Sequence, residues 1–232
     1  MKNFNLDREI ARLILLQRIE LLSPFQRKIR KIFGRYFFTN IFSKYFINSK
    51  NIGKKYFEEM EKEFNLLSDY IDFKKKKFLS IGSGMCGLEL LINYKFDQNF
   101  FSIIEKNYVS KKIYYGWDKD NLEAYNSLTK LNFFLQSNGM HKNSYKIYDF
   151  DKNNFPIDKF DYIISLYSLD YHYDFNIYKE YLKKIFNENT ILIFDTIRPD
   201  YFLKLFNYVK VIRSEQKNIH SSKRIICKGL RF

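Results

Sequence analysis

Residues 78–87 read Phe-Leu-Ser-Ile-Gly-Ser-Gly-Met-Cys-Gly, and the interpretation of the whole chain starts from this stretch. A short apolar strand, 78–81, is followed by a glycine-rich turn and then by a helical pattern that runs to about residue 94. Glycines let the backbone turn tightly and approach a ligand closely, with the N-terminus of the next helix behind the turn. The stretch therefore predicts a ligand-binding turn at the carboxyl end of a strand.

The spacing of Gly82, Gly84 and Gly87 leaves the ligand open. It satisfies G-x-G-x-x-G, so the turn suits a dinucleotide as well as S-adenosylmethionine. A tight turn that binds nothing is the remaining interpretation. Other parts of the sequence are needed to distinguish these three interpretations.

Beyond residue 78, short apolar strands alternate with helices, which favours a parallel sheet with right-handed crossovers. Strands are predicted over 78–81, 100–104, 145–148, 161–166 and 190–194, and the helices between them include 121–137 and 175–186. Residues 208–212 and 224–227 are strand-like, and no helical pattern separates them, so they are expected to pair antiparallel. The predicted fold class is α/β: a Rossmann-like, mostly parallel seven-stranded sheet with an antiparallel C-terminal hairpin.

An N-terminal helical segment precedes this unit. Helical patterns cover residues 6–21, 25–33 and 54–70, and they are interrupted at Pro24 and Gly34. The aromatic residues between 36 and 47 are suited either to a lid or to packing on the sheet, and packing is favoured. We expect residues 1–74 to be a helical cap and 75–232 to be the ligand-binding domain.

Two acids stand at the ends of predicted strands. Glu105 ends the second strand, 18 residues after Gly87, where a carboxylate faces the crevice and accepts hydrogen bonds from ribose hydroxyls. Asp149 ends the third strand, where it is placed to accept from an adenine amino group while Phe150 lines the base. Asp151 competes for the same role. Ordinary strand-end acids are the alternative for each position.

The exit of the fourth strand is rich in polar residues and contains Ser165 and His172. Histidine titrates near neutral pH, so His172 is a candidate general base, with Asp170 or Asp174 beside it to orient the ring. A hydrogen-bonded structural histidine is the alternative. Asp170, His172 and Asp174 are a poor chelate because they occupy alternating positions, and no metal site is predicted.

Charge and cysteine content limit the class of protein. The net charge is +14, but the basic excess lies at the ends: residues 1–77 hold 18 Lys and Arg against 9 acids, and residues 78–197 hold 13 against 15. Basic ends attract a phosphorylated substrate, a nucleic acid or an anionic membrane, although a Lys-rich coding bias explains them equally well. The two cysteines and the absence of a long uncharged apolar run favour a cytoplasmic protein.

Taken together, these residues resemble the class I S-adenosylmethionine-dependent methyltransferase superfamily. Its first motif matches residues 78–87, its strand-end acids match Glu105 and Asp149, and its fourth-strand motif matches residues 160–168, which contain Ser165. The resemblance covers residues 75–232 in the right order. It implies S-adenosylmethionine as cofactor, bound by Gly82, Ser83, Gly84, Gly87, Glu105, Asp149, Phe150 and Ser165.

Two positions depart from the family pattern. Ser80 stands where the family most often has an acid, and glycine occurs at Gly87 rather than at position 86, which is Cys86. A degenerate, non-catalytic homologue therefore stays among the alternatives.

A narrower resemblance concerns the acceptor. Residues 109–116 and 165–173 are similar to proposed sugar O-methyltransferases of bacterial surface-polysaccharide synthesis. This similarity implies methyl transfer to a hydroxyl of a sugar or nucleotide-linked sugar. The alternatives are an RNA methyltransferase, which the basic ends favour but which has no base-stacking motif at the fourth strand, and an NAD-dependent oxidoreductase.

Overall fold

A twisted sheet forms the centre of the molecule in the computed structural model, which describes residues 2–110, 124–152, 154–214 and 222–231. Within these residues the sheet has seven strands in the order β3-β2-β1-β4-β5-β7-β6. The strands are β1 Lys77–Ile81, β2 Phe100–Glu105, β3 Tyr145–Asp149, β4 Tyr162–Ser165, β5 Ile191–Thr196, β6 Phe206–Ser214 and β7 Lys223–Leu230.

The strand directions confirm the predicted fold class. Strands β1 to β5 pair in parallel, and β7 runs antiparallel between β5 and β6. The strand order reverses between β1 and β4, so that β2 and β3 lie on one side of β1 and β4 and β5 on the other. Ligands of open α/β sheets bind at such a reversal, outside the carboxyl ends of the strands.

The helices flank this sheet. They are α1 Arg8–Gln17, α2 Pro24–Phe37, α3 Ser43–Tyr45, α4 Ser49–Ser68, α5 Gly87–Lys95, α6 Leu128–Ser137, α7 Asn176–Ile185 and α8 Pro199–Phe202. Side chains cap several of them: Asp7 accepts the N–H of Ile10 at the start of α1, and Ser127 accepts that of Lys130 at the start of α6. Gly34 interrupts α2 with φ 80° and ψ 159°, as its position in the sequence predicts.

Some predicted boundaries are wrong. Residues 121–123 of the helix predicted over 121–137 lie outside the described residues; in the described part, 124–137, the helix begins at Leu128, and Tyr125 pairs with Val109 in an isolated antiparallel bridge. Helix α8 and a π-helical turn, Phe38–Phe42, were not predicted at all. The segment 111–118, which contains Trp117 and part of the stretch similar to proposed sugar methyltransferases, lies outside the described residues.

Each face of the sheet is covered by its own apolar core. Phe78 and Phe101 face the N-terminal helices and lie in one cluster with Ile10 of α1 and Tyr56 of α4. The side chains next to them along the strands point to the opposite face of the sheet, where α7 and α8 pack. The second core, on that face, contains Leu79, Ile163, Phe175, Leu182, Phe194 and Phe202. The alternation follows from the two-residue period of a strand. The N-terminal helices thus share one core with the sheet.

The aromatic segment 36–47 only partly packs as expected. Phe38 and Ile47 are buried against the core, whereas Phe37, Ile41 and Phe46 are exposed. Both cysteines, Cys86 and Cys227, are free and buried. None of the helices in the described ranges is both long enough and apolar enough to cross a bilayer.

Candidate functional site

The glycine turn between β1 and α5 requires glycine at two positions. Gly82 and Gly84 have φ of +63° and +64°, in the left-handed region that side chains disfavour. A Cβ on Gly82 would lie 1.9 Å from Ser168 Oγ, and one on Gly84 would lie 2.4 Å from Gln17 Oε1. The turn is therefore a tight cradle, closed by side chains from other parts of the chain.

Cys86 has a backbone conformation in this turn that usually favours glycine. It adopts φ 54° and ψ 38°, a left-handed conformation, immediately before the first residue of α5. Left-handed geometry costs a non-glycine residue roughly 1–2 kcal/mol. Gly87 is needed for space instead, because a Cβ there would lie 2.6 Å from the ring of Tyr56.

Glu105 lies directly beside this turn, at the end of β2. Its carboxylate accepts the backbone N–H of Gly84 and that of Lys106, and it also contacts the Asn126 amide. Burial raises the pKa of Glu105 to about 7, although these hydrogen bonds to the charged form oppose the rise. The predicted acid thus faces the glycines, and its protonation changes close to neutral pH.

The N-terminal helices reach the same turn. Gln17, at the end of α1, accepts the N–H of Met85 at 3.2 Å and donates to the carbonyl of Tyr125 at 2.6 Å. Tyr56 of α4 accepts the N–H of Gly87 at 3.0 Å, and burial raises the pKa of its hydroxyl. Two of the backbone donors at the start of α5 are therefore used by side chains of the helical segment.

The exit of β3 holds Asp149 next to Glu105 in the parallel register. Asp149 accepts the N–H of Asp151 at 3.2 Å, while Asp151 itself forms an ion pair with Lys106 at 3.4 Å. Phe150 packs in a separate aromatic group with Phe155 and Tyr178, at centroid distances of 5.7 and 5.6 Å, and Lys106 Nζ lies 5.1 Å from the centre of its ring.

At the exit of β4, Ser165 joins the two central strands. Its buried hydroxyl donates to the carbonyl of Ile81 at 2.7 Å and accepts the N–H of Leu169 at 2.9 Å. The hydroxyl's single proton is committed to Ile81. Ser165 therefore fixes the exit of β4 against the exit of β1, and its predicted contact with a cofactor is left with acceptor capacity alone.

The two acids expected to orient His172 have another partner. Asp170 is fully buried, and Arg198 donates to it at 2.5 Å and to Asp174 at 2.9 Å. Thr196 also donates to Asp170, at 2.5 Å. The guanidinium thus holds both acids, to which it offers several strong donors in a fixed fork.

His172 itself is exposed on the loop that follows β4. Its backbone N–H donates to the carbonyl of Ser168 at 2.9 Å, and its ring lies edge-on to Tyr171 at 5.0 Å. Within the residues that the structure describes, no group of three His, Cys, Asp or Glu is arranged to hold a metal ion.

A buried ionic cluster, which the sequence analysis did not find, lies behind the exits of β4 and β5. Arg224 of β7 donates to Asp195 at 2.8 and 3.1 Å and to Glu63 of α4, and Arg213 of β6 donates to Glu63 at 3.0 Å and to the Tyr167 hydroxyl. Burial alone would raise the pKa of Glu63, but the charges of Arg224 and Arg213 lower it to about 2.

Tyr167 connects this cluster to the crevice. It has φ 59°, its N–H donates to Asp195 at 3.1 Å, and it directly precedes Ser168, which fills the space over Gly82. The guanidinium of Arg18, next to Gln17, lies 5.2 Å from the ring centre of Tyr167. The helical cap, the C-terminal hairpin and the two central strands therefore meet at one place.

Comparison with known proteins supports this fold. No protein-family model and no curated protein matches the sequence. Among solved structures, magnesium protoporphyrin IX methyltransferase from Synechocystis PCC 6803, with bound S-adenosylmethionine, aligns at a TM-score of 0.51 and 13% identity over 97% of this chain and 98% of that one. A proposed O-methyltransferase from Nostoc punctiforme PCC 73102 aligns at 0.50 and 9% identity over 77% and 58%.

Two further similar structures are longer proteins. The chain spans 40% of coclaurine N-methyltransferase and 56% of mitomycin 7-O-methyltransferase, at TM-scores of 0.44 and 0.49 and 11% identity to each. At such low identities the similarity concerns the fold, which is the Rossmann-like sheet with an antiparallel hairpin.

Proposed function

We propose that the protein transfers a methyl group from S-adenosylmethionine to a small-molecule acceptor. The observation that carries the proposal is the contact between Gly84 and Glu105: a left-handed glycine turn after β1 donates to the acid that ends β2, next to the reversal of strand order. The shared fold with methyltransferases supports the same choice. The cofactor's sulfonium supplies an electrophilic methyl group when it is bound.

The residues around the turn offer hydrogen-bonding groups that suit such a cofactor. Gly82, Ser83 and Gly84 are partly exposed between buried neighbours, and the side chains of Ser168 and Gln17 take the space directly beside the two glycines. Glu105 and Asp149 are adjacent acceptors for ligand hydroxyl and amino groups, since each carboxylate oxygen has two lone pairs. We assign cofactor binding to these residues, with Gly87 shaping the turn, Phe150 near Asp149 and Ser165 fixing β1 to β4.

The acceptor is assigned to the space between the helical cap, residues 1–74, and the exit of β4. Gln17 and Tyr56 bring the cap onto the turn, and His172 follows the same strand exit. His172 is our candidate for the base that takes the acceptor's hydroxyl proton. The acceptor class that we propose is a sugar or nucleotide-linked sugar of surface-polysaccharide synthesis, which rests on the similarity of residues 165–173 to proposed sugar methyltransferases.

Calorimetry with S-adenosylhomocysteine and with NAD tests the cofactor. Binding of S-adenosylhomocysteine alone supports the proposal; binding of NAD alone contradicts it and favours an oxidoreductase. If neither binds, a non-catalytic homologue is indicated. A screen of free and nucleotide-linked sugars for release of S-adenosylhomocysteine then tests the acceptor, with an RNA mixture as the competing substrate. Turnover with RNA and with none of the sugars would contradict the acceptor class.

A further inference from the structure

Helix α2 exposes most of an apolar stripe, of which Ile29 alone packs partly against the core. Phe25, Ile29, Ile32 and Phe33 follow one another at the i, i+4, i+7 and i+8 spacing that places them on one helix face. Phe25, Ile32 and Phe33 are nevertheless 68%, 73% and 58% exposed. Among the side chains described between Pro24 and Phe37, none is buried.

The exposed apolar surface continues past the interruption at Gly34. Phe37, Ile41, Tyr45 and Phe46 are all exposed, and the ring of Phe37 lies 5.2 Å from that of Phe33. A contiguous run of exposed aromatic and aliphatic side chains of this kind marks a binding surface more often than a solvated one. We call residues 24–46 the α2–α3 surface.

The charge of residues 21–57 indicates what kind of partner the α2–α3 surface binds. Residues 21–57 contain nine Lys and Arg and no Asp or Glu. On α2, Lys28 and Lys31 are exposed, and the helical repeat of 100° per residue places Lys31 away from the stripe and Lys28 at its edge, beside Ile32. An exposed helix with one apolar face and one basic face is suited to lie in the plane of an anionic lipid interface.

Two other occupants fit less well. A second copy of the chain would oppose the nine cations of residues 21–57 to the same nine cations across a symmetric interface, with no acid in the segment to offset them. An RNA would use the charge but would leave the aliphatic side chains of Ile32 and Ile41 without a suitable contact. We therefore propose that the α2–α3 surface binds anionic membranes peripherally, with the apolar stripe of α2 inserted below the lipid headgroups.

Sedimentation with vesicles tests this proposal on the full chain. Wild-type protein is expected to bind vesicles that contain phosphatidylglycerol and not vesicles of phosphatidylcholine alone, with affinity that falls as salt is raised. The variant Lys28→Glu/Lys31→Glu is expected to bind about thirtyfold more weakly or worse, since each basic residue near an anionic surface contributes about fivefold. The variant Ile32→Glu/Phe33→Glu should lose binding to a similar degree.

Matched control variants distinguish binding through this surface from nonspecific electrostatic or hydrophobic binding to the vesicles. Ile157, which is 80% exposed, and Lys62, whose side chain is 73% exposed, lie outside the α2–α3 surface, so Ile157→Glu and Lys62→Glu should bind as wild type does. All of these positions are exposed, so unchanged thermal unfolding is the expected check on folding.

Three results would overturn the proposal. The first is no wild-type binding to phosphatidylglycerol vesicles. The second is undiminished binding by both double variants of α2. The third is a loss in these variants of RNA binding or of self-association, measured by filter binding and sedimentation velocity, while vesicle binding is unaffected.

Discussion

The carboxylate of Glu105 accepts the backbone N–H of Gly84, so that the end of β2 and the turn after β1 form one unit. This contact places a buried acid against the backbone of the turn that precedes α5. A ligand that binds at the turn therefore meets both a backbone cradle and a carboxylate whose charge depends on pH.

The first prediction concerns the pH dependence of stability through Glu105. Burial raises its pKa to about 7 in the folded state, above the value of about 4.5 for an unfolded chain. The protonated form is thus favoured by folding, and its contribution is present below pH 4.5 and is lost as pH rises through 7. The contribution amounts to about 3 kcal/mol. Urea unfolding across this range should show a fall in wild-type stability relative to Glu105→Gln.

Glu188→Gln provides the control, because Glu188 is an exposed acid in the loop before β5. Urea unfolding of this variant over the same pH range gives the effect of replacing an exposed carboxyl group, with which the effect of Glu105→Gln is compared. A wild-type–Glu105→Gln difference that does not change with pH would contradict the assignment of a raised pKa to Glu105.

The second prediction concerns the crowding of the turn. Gly84→Ala should lower stability and weaken S-adenosylhomocysteine binding by about tenfold, which is about 1.4 kcal/mol, because the new Cβ meets the Gln17 side chain. Gly139 is the matched control: it has φ +89° but open space around a Cβ, so Gly139→Ala should cost about 1–2 kcal/mol of stability without changing affinity. Calorimetry and urea unfolding measure the two quantities.

Adding Gln17→Ala to Gly84→Ala should recover part of the loss, because it removes the side chain that the Cβ meets. No recovery in the double variant would mean that the left-handed backbone, rather than the crowding, limits position 84.

The third prediction concerns His172. If this residue takes the acceptor proton, His172→Ala should lower kcat by about 10² or more and leave S-adenosylhomocysteine affinity unchanged. His141, exposed in the turn before β3, is the control, and His141→Ala should keep full turnover. Undiminished turnover in His172→Ala would remove the residue from the mechanism.

The fourth prediction concerns the buried cluster. Glu63→Gln should destabilise the protein by about 3–5 kcal/mol, since it leaves the buried guanidinium of Arg224 with one carboxylate fewer. Glu58→Gln on the exposed side of α4 should change stability by less than about 0.5 kcal/mol.

Because the pKa of Glu63 is about 2, the contribution of this acid is present above pH 4.5 and is lost as pH falls through 2. Denaturant titrations at pH 7 and pH 3 measure both effects.

The order of the strands along the chain and the nature of the first turn follow from sequence alone. Residues 78–81 and 100–104 are short apolar runs that predict strands. The closely spaced glycines Gly82 and Gly84 predict a tight turn after the first of these runs. Over residues 121–137 the spacing of apolar residues predicted a helix that is longer than α6, which begins at Leu128. There Tyr125 pairs with Val109, a contact between distant residues that periodicity does not report.

The glycine turn of residues 82–87 was therefore determined by the sequence, because a left-handed turn needs glycine and that need is visible in the residues themselves. Which side chains close it was decided only by tertiary structure. Gln17 and Tyr56 come from helices far along the chain, and their hydrogen bonds to Met85 and Gly87 depend on how the helices pack. Hydrogen bonds between distant side chains leave no periodic trace in a sequence, whereas backbone conformation and apolar spacing do.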